Sequence, residues 1–77
     1  MRTYLRELRT DKNESMEQVA RLLGITRQYY EMIESGKRKK NMDVLTLYRL
    51  SKHFQVSLNY LVKKELDWMK NIERKGA

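Results

Sequence analysis

The sequence predicts an all-α fold, a compact bundle of five helices, from three observations. Apolar residues recur at the three- and four-residue intervals of a helix along most of the chain. Proline is absent and glycine occurs three times, so breaks must come from glycines and N-cap residues. There is no period-two run of β-branched residues and no Asn-Gly or Asp-Gly turn to indicate strands. With 77 residues, the chain is expected to form one small folding unit.

The first two helices are predicted from an apolar face and from a capping motif. Residues 3–11 place apolar side chains at positions 4, 5 and 8, on one side of a helix. A polar run ends this helix, and Ser15 opens the second. The Ser15 hydroxyl can accept a hydrogen bond from the backbone three residues on while Gln18 reaches back, in the S-x-x-Q capping box. Gly24 closes the second helix because glycine tolerates the left-handed conformation found after helix ends.

The second and third helices together have the spacing of a helix-turn-helix. Thr26 can cap the third helix, and Ser35-Gly36 stops it. Ala20 is small where the two helices must cross, and Gly24 lies where the chain reverses. The residues expected on the inward sides are Val19, Leu23, Ile25, Tyr30 and Ile33, and those expected to face outward are Arg27, Gln28, Glu31 and Met32.

Two further helices follow a loop at residues 37–40. Asn41 is a good N-cap for the fourth helix, whose apolar positions are spread widely enough to predict a central, largely buried helix. Ser57 caps the fifth helix, with Trp68 expected away from its apolar face. We expect the domain to span residues 1–64, with residues 65–77 as a C-terminal helical extension or tail. The apolar face of the fifth helix is expected to contain Leu58, Leu61, Val62, Leu66, Met69 and Ile72.

The charge of the chain favours a polyanionic partner. Seventeen Lys and Arg against ten Asp and Glu give a net charge of +7, which makes nucleic acid the first candidate. Many small basic domains bind no nucleic acid, so the positions of the charges must decide. No apolar run approaches the roughly eighteen residues of a membrane span, and the chain start lacks a signal-peptide core. We expect a cytoplasmic protein without a membrane partner.

An enzyme is the class that the composition favours least. The absence of cysteine removes thiol nucleophiles and thiolate metal sites. The single histidine, His53, lies on a predicted apolar helix and is better explained as a surface or packing residue than as a base. There is no HExxH spacing and no phosphate-binding glycine loop. No catalytic residue, metal or cofactor is therefore expected.

A longer pattern surrounds the helix-turn-helix. It comprises Leu8-Arg9 and then Ser15-x-x-x-Val19-Ala20-x-x-Leu23-Gly24-Ile25-Thr26-Arg27-x-x-Tyr30-x-x-Ile33-Glu34-x-Gly36-Lys37. This pattern resembles the Cro and phage-repressor (XRE) helix-turn-helix family, and residues 45–61 are similar to that family's last two helices. The resemblance covers about residues 3–62. It implies a lambda-repressor-like DNA-binding domain and a sequence-specific transcriptional regulator, of the kind found in phages, prophages and mobile elements and expected on the nucleoid.

The resemblance implies which residues read the bases of DNA. In the family, the first residues of the third helix, and one residue a turn further on, touch base edges in the major groove. Here these positions are Arg27, Gln28 and Met32. Arg27 can donate to guanine, Gln28 can pair with adenine, and Met32 can contact a thymine methyl group. Tyr29 could reach a base or a phosphate. The alternative is that these side chains are simply solvated.

The resemblance also implies phosphate contacts at two places. The family contacts the DNA backbone just after the third helix, where this chain has Lys37, Arg38, Lys39 and Lys40. Taken alone, such a basic run would indicate a solvated loop. Where a glutamine commonly touches phosphate this chain has Met16, so that contact is expected to be missing or replaced by Ser15 or backbone amides. The family's usual proline before the fourth helix is also absent.

Arg9 and Glu34 occupy positions at which the family often forms an ion pair. Such a pair would join the first helix to the end of the third, and a bidentate geometry would fix the third helix in place. We therefore expect Arg9 to be structural first and a phosphate contact second.

The C-terminal region, beyond the resemblance, leaves several interpretations open. One is a dimer surface at Leu66, Met69 and Ile72, which would let a homodimer bind a palindromic operator in successive major grooves about 34 Å apart. Another is a basic tail packed on its own domain. The same segment could bind a protein partner, as in antitoxin-like regulators of this fold. A membrane-surface helix is disfavoured because acidic residues at 65, 67 and 73 interrupt its cationic face.

Overall fold

A computed structural model describes residues 1–38 and 42–76, with side chains as far as residue 71. The described chain contains five helices and no strand, which confirms the all-α fold class. None of these helices is both long and apolar enough to cross a membrane. The helices are α1 (Thr3–Asp11), α2 (Met16–Leu23), α3 (Arg27–Ser35), α4 (Val44–Phe54) and α5 (Leu58–Gly76).

The chain divides into two compact units, Met1–Asn41 and Met42–Ala77. In the first unit, α1 and α2 each pack against α3, and in the second α4 packs against α5. The predicted boundary between residues 64 and 65 falls inside α5. The buried apolar residues of the first unit are Tyr4, Leu5, Val19, Ala20, Leu23, Tyr30 and Ile33, and those of the second are Leu47, Leu50, Phe54, Leu61 and Trp68.

Side-chain caps fix the starts of α2, α3 and α5 where the sequence predicted them. The Ser15 hydroxyl accepts from the Gln18 N–H at 3.2 Å, and the Gln18 side chain accepts from the Ser15 N–H at 2.7 Å, which completes the capping box. Thr26 accepts from the Tyr29 N–H at 3.1 Å. Ser57 caps α5 in the same way at 3.0 Å. Each cap satisfies a backbone donor that the helix leaves free.

The start of α4 differs from the prediction. Asp43 is its N-cap, and its carboxylate accepts from both the N–H and the hydroxyl of Thr46, at 3.1 and 2.8 Å. Asn41, the predicted cap, lies outside the described residues. Asn and Asp cap helices about equally well. The hydroxyl of Thr46 gives the Asp43 carboxylate a second donor, which favours this start.

The prediction that α4 is largely buried was wrong. Leu47, Leu50 and Phe54 are buried, but Val44 and Tyr48 are 73% and 50% exposed. The apolar residues of α4 occupy more than one side of the helix, and among the described residues the buried ones lie on the side of Leu47, Leu50 and Phe54.

The apolar face predicted for α5 divides into two sides. Leu61 and Trp68 are buried, and Glu65 lies between them on the same side. Leu66 is 52% exposed, on a side that it shares with Leu58 and Val62, also exposed. Trp68, rather than Leu66, therefore belongs to the buried side. Both residues are apolar, and their spacing alone did not separate them.

Helices α1 to α4 are each followed by a residue with positive φ. The φ values are 59° at Asn13, 71° at Gly24, 90° at Gly36 and 56° at Gln55. In each case the next N–H donates to a carbonyl five residues back, at 2.9–3.1 Å. This is the Schellman motif, which satisfies the last carbonyls of a helix. The predicted stops at Gly24 and Gly36 are confirmed.

Candidate nucleic-acid interface

The turn between α2 and α3 brings the start of α3 to the surface. Gly24 adopts φ 71°, and among the described residues no heavy atom beyond the local backbone and the two neighbouring residues lies within 4 Å of where its Cβ would be. The left-handed backbone, rather than lack of space, is therefore what favours glycine here. The Ile25 N–H donates to the Ala20 carbonyl at 3.0 Å, and Thr26 caps the next helix. The chain consequently leaves α2 and enters α3 within three residues.

Four side chains predicted to read bases are exposed on the first two turns of α3. Arg27 and Gln28 open the helix, and both are exposed. Tyr29 and Met32 are large apolar or aromatic residues, yet they are 37% and 38% exposed. The neighbouring Tyr30 is fully buried. The helix thus anchors one side in its unit and presents donors, an amide, an aromatic ring and a thioether on the other.

Arg27 has a partner that a nucleic acid could replace. Its guanidinium lies 3.8 Å from the carboxylate of Glu31, one turn along α3, with both side chains more than half exposed. Arg21 and Glu17 form a similar pair on α2 at 3.5 Å. Exposed pairs of this kind contribute little stability because water screens them. Arg27 can therefore leave Glu31 for a base or a phosphate at small cost.

The two residues predicted to contact phosphate at the start of α2, Ser15 and Met16, differ in exposure and in their capacity to donate a hydrogen bond. The Ser15 hydroxyl is exposed but already accepts the capping hydrogen bond, which leaves its own O–H free to donate. Met16 is partly buried, and its side chain has no donor. Any phosphate contact at this position must therefore come from Ser15 or from the backbone.

The basic loop after α3 is described as far as Arg38. Lys37 and Arg38 are exposed, and their N–H groups both donate to the Met32 carbonyl, at 2.9 and 3.1 Å. These bonds hold the loop's first residues against the last turn of α3. The predicted contacts at Lys39 and Lys40 lie outside the described residues.

Arg9 and Glu34 form the expected ion pair. Nε and one terminal nitrogen of Arg9 donate to the two carboxylate oxygens of Glu34, each at 3.1 Å. The other terminal nitrogen donates to the Glu14 carbonyl at 3.1 Å. The Glu34 side chain is 1% exposed and that of Arg9 is 12% exposed. The hydrogen bond to Glu34 raises the pKa of Arg9.

Tyr30 lies beside this ion pair. Burial raises the pKa of the Tyr30 phenol, and the negative charge of Glu34 raises it further. Within the described part of the chain, the phenol oxygen makes no hydrogen bond of acceptable geometry. Tyr30 is therefore held neutral by its surroundings.

Arg2, to which no sequence pattern assigns a role, is fully buried. Its backbone N–H donates to the Glu34 carbonyl at 2.7 Å. One nitrogen of its guanidinium donates to the carbonyls of Ile33 and Arg38, at 2.5 and 3.1 Å. These contacts span 31 and 36 residues of sequence, and no local pattern indicates them.

Comparisons with known proteins agree with this geometry. The sequence model of the helix-turn-helix family matches residues 5–61. The chain is also similar to YonR of Bacillus subtilis (strain 168), which is named as an SPbeta prophage-derived uncharacterized HTH-type transcriptional regulator. The two are 42% identical over 59 residues, which cover 77% of this chain and 53% of YonR, so the chain spans about half the length of that relative. No solved structure matches the chain. The protein belongs to the Cro and phage-repressor (XRE) type of the helix-turn-helix transcriptional regulator family.

Proposed function

We propose that this chain is a sequence-specific double-stranded DNA-binding regulator that reads the major groove with α3. The observation that carries the proposal is the exposed side of α3, where Arg27, Gln28, Tyr29 and Met32 lie within two turns. A helix fits the major groove, and there each base pair presents a distinct set of donors, acceptors and methyl groups. The prophage origin in YonR's name supports a phage, prophage or mobile-element origin, and we propose a repressor acting on the nucleoid in the cytoplasm.

Each exposed side chain has a base that it can recognise. The planar guanidinium of Arg27 can donate two hydrogen bonds to guanine O6 and N7, and the Gln28 amide can pair with adenine N6 and N7. Met32 offers an apolar contact to a thymine methyl group, and Tyr29 reaches a base or a phosphate. Arg9 and Glu34 act behind this surface, because their buried pair fixes the end of the helix that carries it.

Phosphate contacts then set the register of α3 on the duplex. The exposed Lys37 and Arg38, held to the end of α3 by the Met32 carbonyl, lie next to the reading helix in sequence and structure. Ser15, or the amide of Met16, contacts the backbone at the start of α2. Lys39 and Lys40 add to the same basic run. Such contacts carry affinity for all sequences, whereas the base contacts carry specificity.

A homodimer on a palindromic operator completes the proposal. The exposed side of α5 continues from Leu58 and Val62 to Leu66, with Met69 half-buried, and α5 runs on to Gly76 although the family match ends at residue 61. The Ile72 side chain, also proposed for this surface, lies outside the described part. Two copies paired through α5 would place two α3 helices in successive major grooves, about 34 Å apart.

The proposal is tested by selecting bound duplexes from a random pool and sequencing them. The wild-type chain should enrich a palindromic motif. Gln28→Ala should relax the preference at one base pair per half-site by about 1–3 kcal/mol, because alanine cannot form the bidentate pair with adenine. Asn59→Ala is the matched control, since it removes an exposed amide from α5 and not from α3.

Repeating the binding at several salt concentrations separates phosphate contacts from base contacts. Replacing Lys39 and Lys40 together with alanine should weaken binding to all sequences alike. It should also flatten the log–log salt slope by about two, since each phosphate that a lysine neutralises adds about 0.9 to that slope. An unchanged slope would remove this loop from the interface. No enriched motif, with only salt-sensitive binding, would overturn sequence-specific recognition and favour the antitoxin-like alternative, in which α5 holds a protein partner.

A further inference from the structure

Arg2 is a fully buried cation at the C-terminal end of the reading helix. Removing a charged guanidinium from water is costly unless its donors are satisfied. Here one nitrogen donates to the Ile33 carbonyl in the last turn of α3 and to the Arg38 carbonyl in the loop beyond it. The carbonyl end of a helix carries partial negative charge, which favours a cation at this place.

The two carbonyls that Arg2 joins belong to two different parts of the proposed interface. Ile33 follows directly on Met32, a proposed base-reading residue, and Arg38 is a proposed phosphate contact. The N–H groups of Lys37 and Arg38 also hold the loop to α3, because both donate to the Met32 carbonyl. Arg2 therefore joins the two ends of the backbone segment from Ile33 to Arg38. One end of this segment adjoins the proposed base contacts, and the other end carries the proposed phosphate contacts.

We infer that Arg2 is a positioning residue that fixes the basic loop relative to the base-reading surface of α3. The inference rests on the proposed function. Arg2 itself is buried and touches no DNA; it acts through the backbone of Arg38. A loop already held in its bound path loses less conformational freedom when DNA binds, so affinity is gained without a new contact.

The first test needs no DNA. Hydrogen exchange of single amides is followed by NMR in the full chain, in the wild type and in Arg2→Met, which keeps an unbranched side chain but removes the donors. The amides of Lys37 and Arg38 should exchange at least about fivefold faster in the variant, because the loop opens more often. The Ile25 amide, which makes the equivalent bond at the end of α2, should be unchanged.

Two further variants control for charge and for folding. Arg6→Met removes one positive charge from an exposed position on α1 and should leave the exchange of the loop amides unchanged. Arg2→Lys keeps the charge but replaces the planar fork by a shorter-reaching ammonium, so it should give a smaller effect in the same direction. If Arg2→Met does not fold, the same hydrogen-exchange measurement is made on Arg2→Lys.

The second test measures binding to the selected duplex at several salt concentrations, well below each variant's melting midpoint. Arg2→Met should weaken binding about tenfold and flatten the salt slope by one to about two, because Lys37 and Arg38 no longer sit in register with the phosphates. Arg6→Met should change affinity by no more than about twofold, through its charge alone. If Arg2 had only a structural role, Arg2→Met would lower the melting midpoint and leave the salt slope of the folded protein unchanged.

The outcomes separate this inference from the proposed function. A wild-type chain that selects no duplex would overturn the proposed function, whereas the exchange experiment can still be read. Loop amides that exchange at the wild-type rate in both Arg2 variants would overturn the inference that Arg2 fixes the loop. Faster exchange with unchanged affinity and slope would show that the order of the loop has no effect on DNA binding, which also overturns the inference.

Discussion

Removing the carboxylate of Glu34 should destabilise the first unit. Its carboxylate is buried and accepts two hydrogen bonds from Arg9. Glu34→Ala leaves the Arg9 guanidinium largely buried without that partner, and should lower the free energy of unfolding by about 3 kcal/mol. Urea denaturation followed by circular dichroism measures the decrease. Arg9→Met in the Glu34→Ala background should cost much less than in the wild type, and an unchanged midpoint for Glu34→Ala would contradict the pairing.

Tyr30 should make stability depend on alkaline pH. Its pKa in the folded protein is raised above the ordinary value of 10.0, so the unfolded chain ionises first as pH rises. The stabilisation is thus fully present below about pH 10 and is lost above it. Tyr30→Phe should reduce the fall in melting midpoint between about pH 9 and 11, because the phenylalanine ring does not ionise. An equal fall in Tyr30→Phe and in the wild type would contradict this role of Tyr30.

At the scale of the helix, the four left-handed ends are not equivalent. Gly24 and Gly36 adopt positive φ without strain, and Asn13 tolerates it, but Gln55 does so at φ 56° with a long side chain. Gln55→Gly should raise the free energy of unfolding by about 0.5–1 kcal/mol, since the relieved strain exceeds the added entropy of glycine in the unfolded chain. Asn13→Gly should raise the free energy of unfolding by a smaller amount. Thermal melting compares the two, and a lower midpoint for Gln55→Gly would contradict the argument.

Helix boundaries that depend on one residue type could be predicted from the sequence. Ser15, Thr26 and Ser57 were predicted as caps because each is followed by a helical apolar pattern. The left-handed ends at Asn13 and Gln55 were not predicted, because these residue types adopt positive φ only occasionally. Arg2 carries no signal either, since its partners are distant in sequence and are backbone carbonyls, which every residue has.

At the scale of the whole molecule, the exposed apolar side of α5 bears on how many copies assemble. The sequence predicted five helices in order, but it could not show which apolar residues stay exposed, because spacing does not distinguish Leu66 from Trp68. The outward side of α3 was predictable because the inward residues Tyr30 and Ile33 recur at helical spacing, and the family resemblance agrees with that assignment. The remaining exposed apolar residues of α5 are what the dimer proposal must explain.

A dimer through α5 should be visible in sedimentation. The wild-type chain at about ten micromolar should sediment as a dimer, and Leu66→Glu should shift it to a monomer by burying a charge at the interface. Asn71→Glu, at an exposed position on another side of the same helix, adds the same single negative charge and is the control. A wild-type monomer, both alone and on a duplex with two half-sites, would contradict the proposed surface.

The buried Trp68 gives the chain a built-in optical reporter. It is the only tryptophan in the sequence and lies in α5, so its fluorescence follows Met42–Ala77, whereas the NMR signal of the buried Tyr30 amide follows Met1–Asn41. One denaturant titration observed in both signals therefore compares the unfolding of the two units directly. Coincident curves would mean that α3 and α5 fold in one cooperative transition. Separate curves would mean that the more stable of the two units keeps its fold after the other has unfolded.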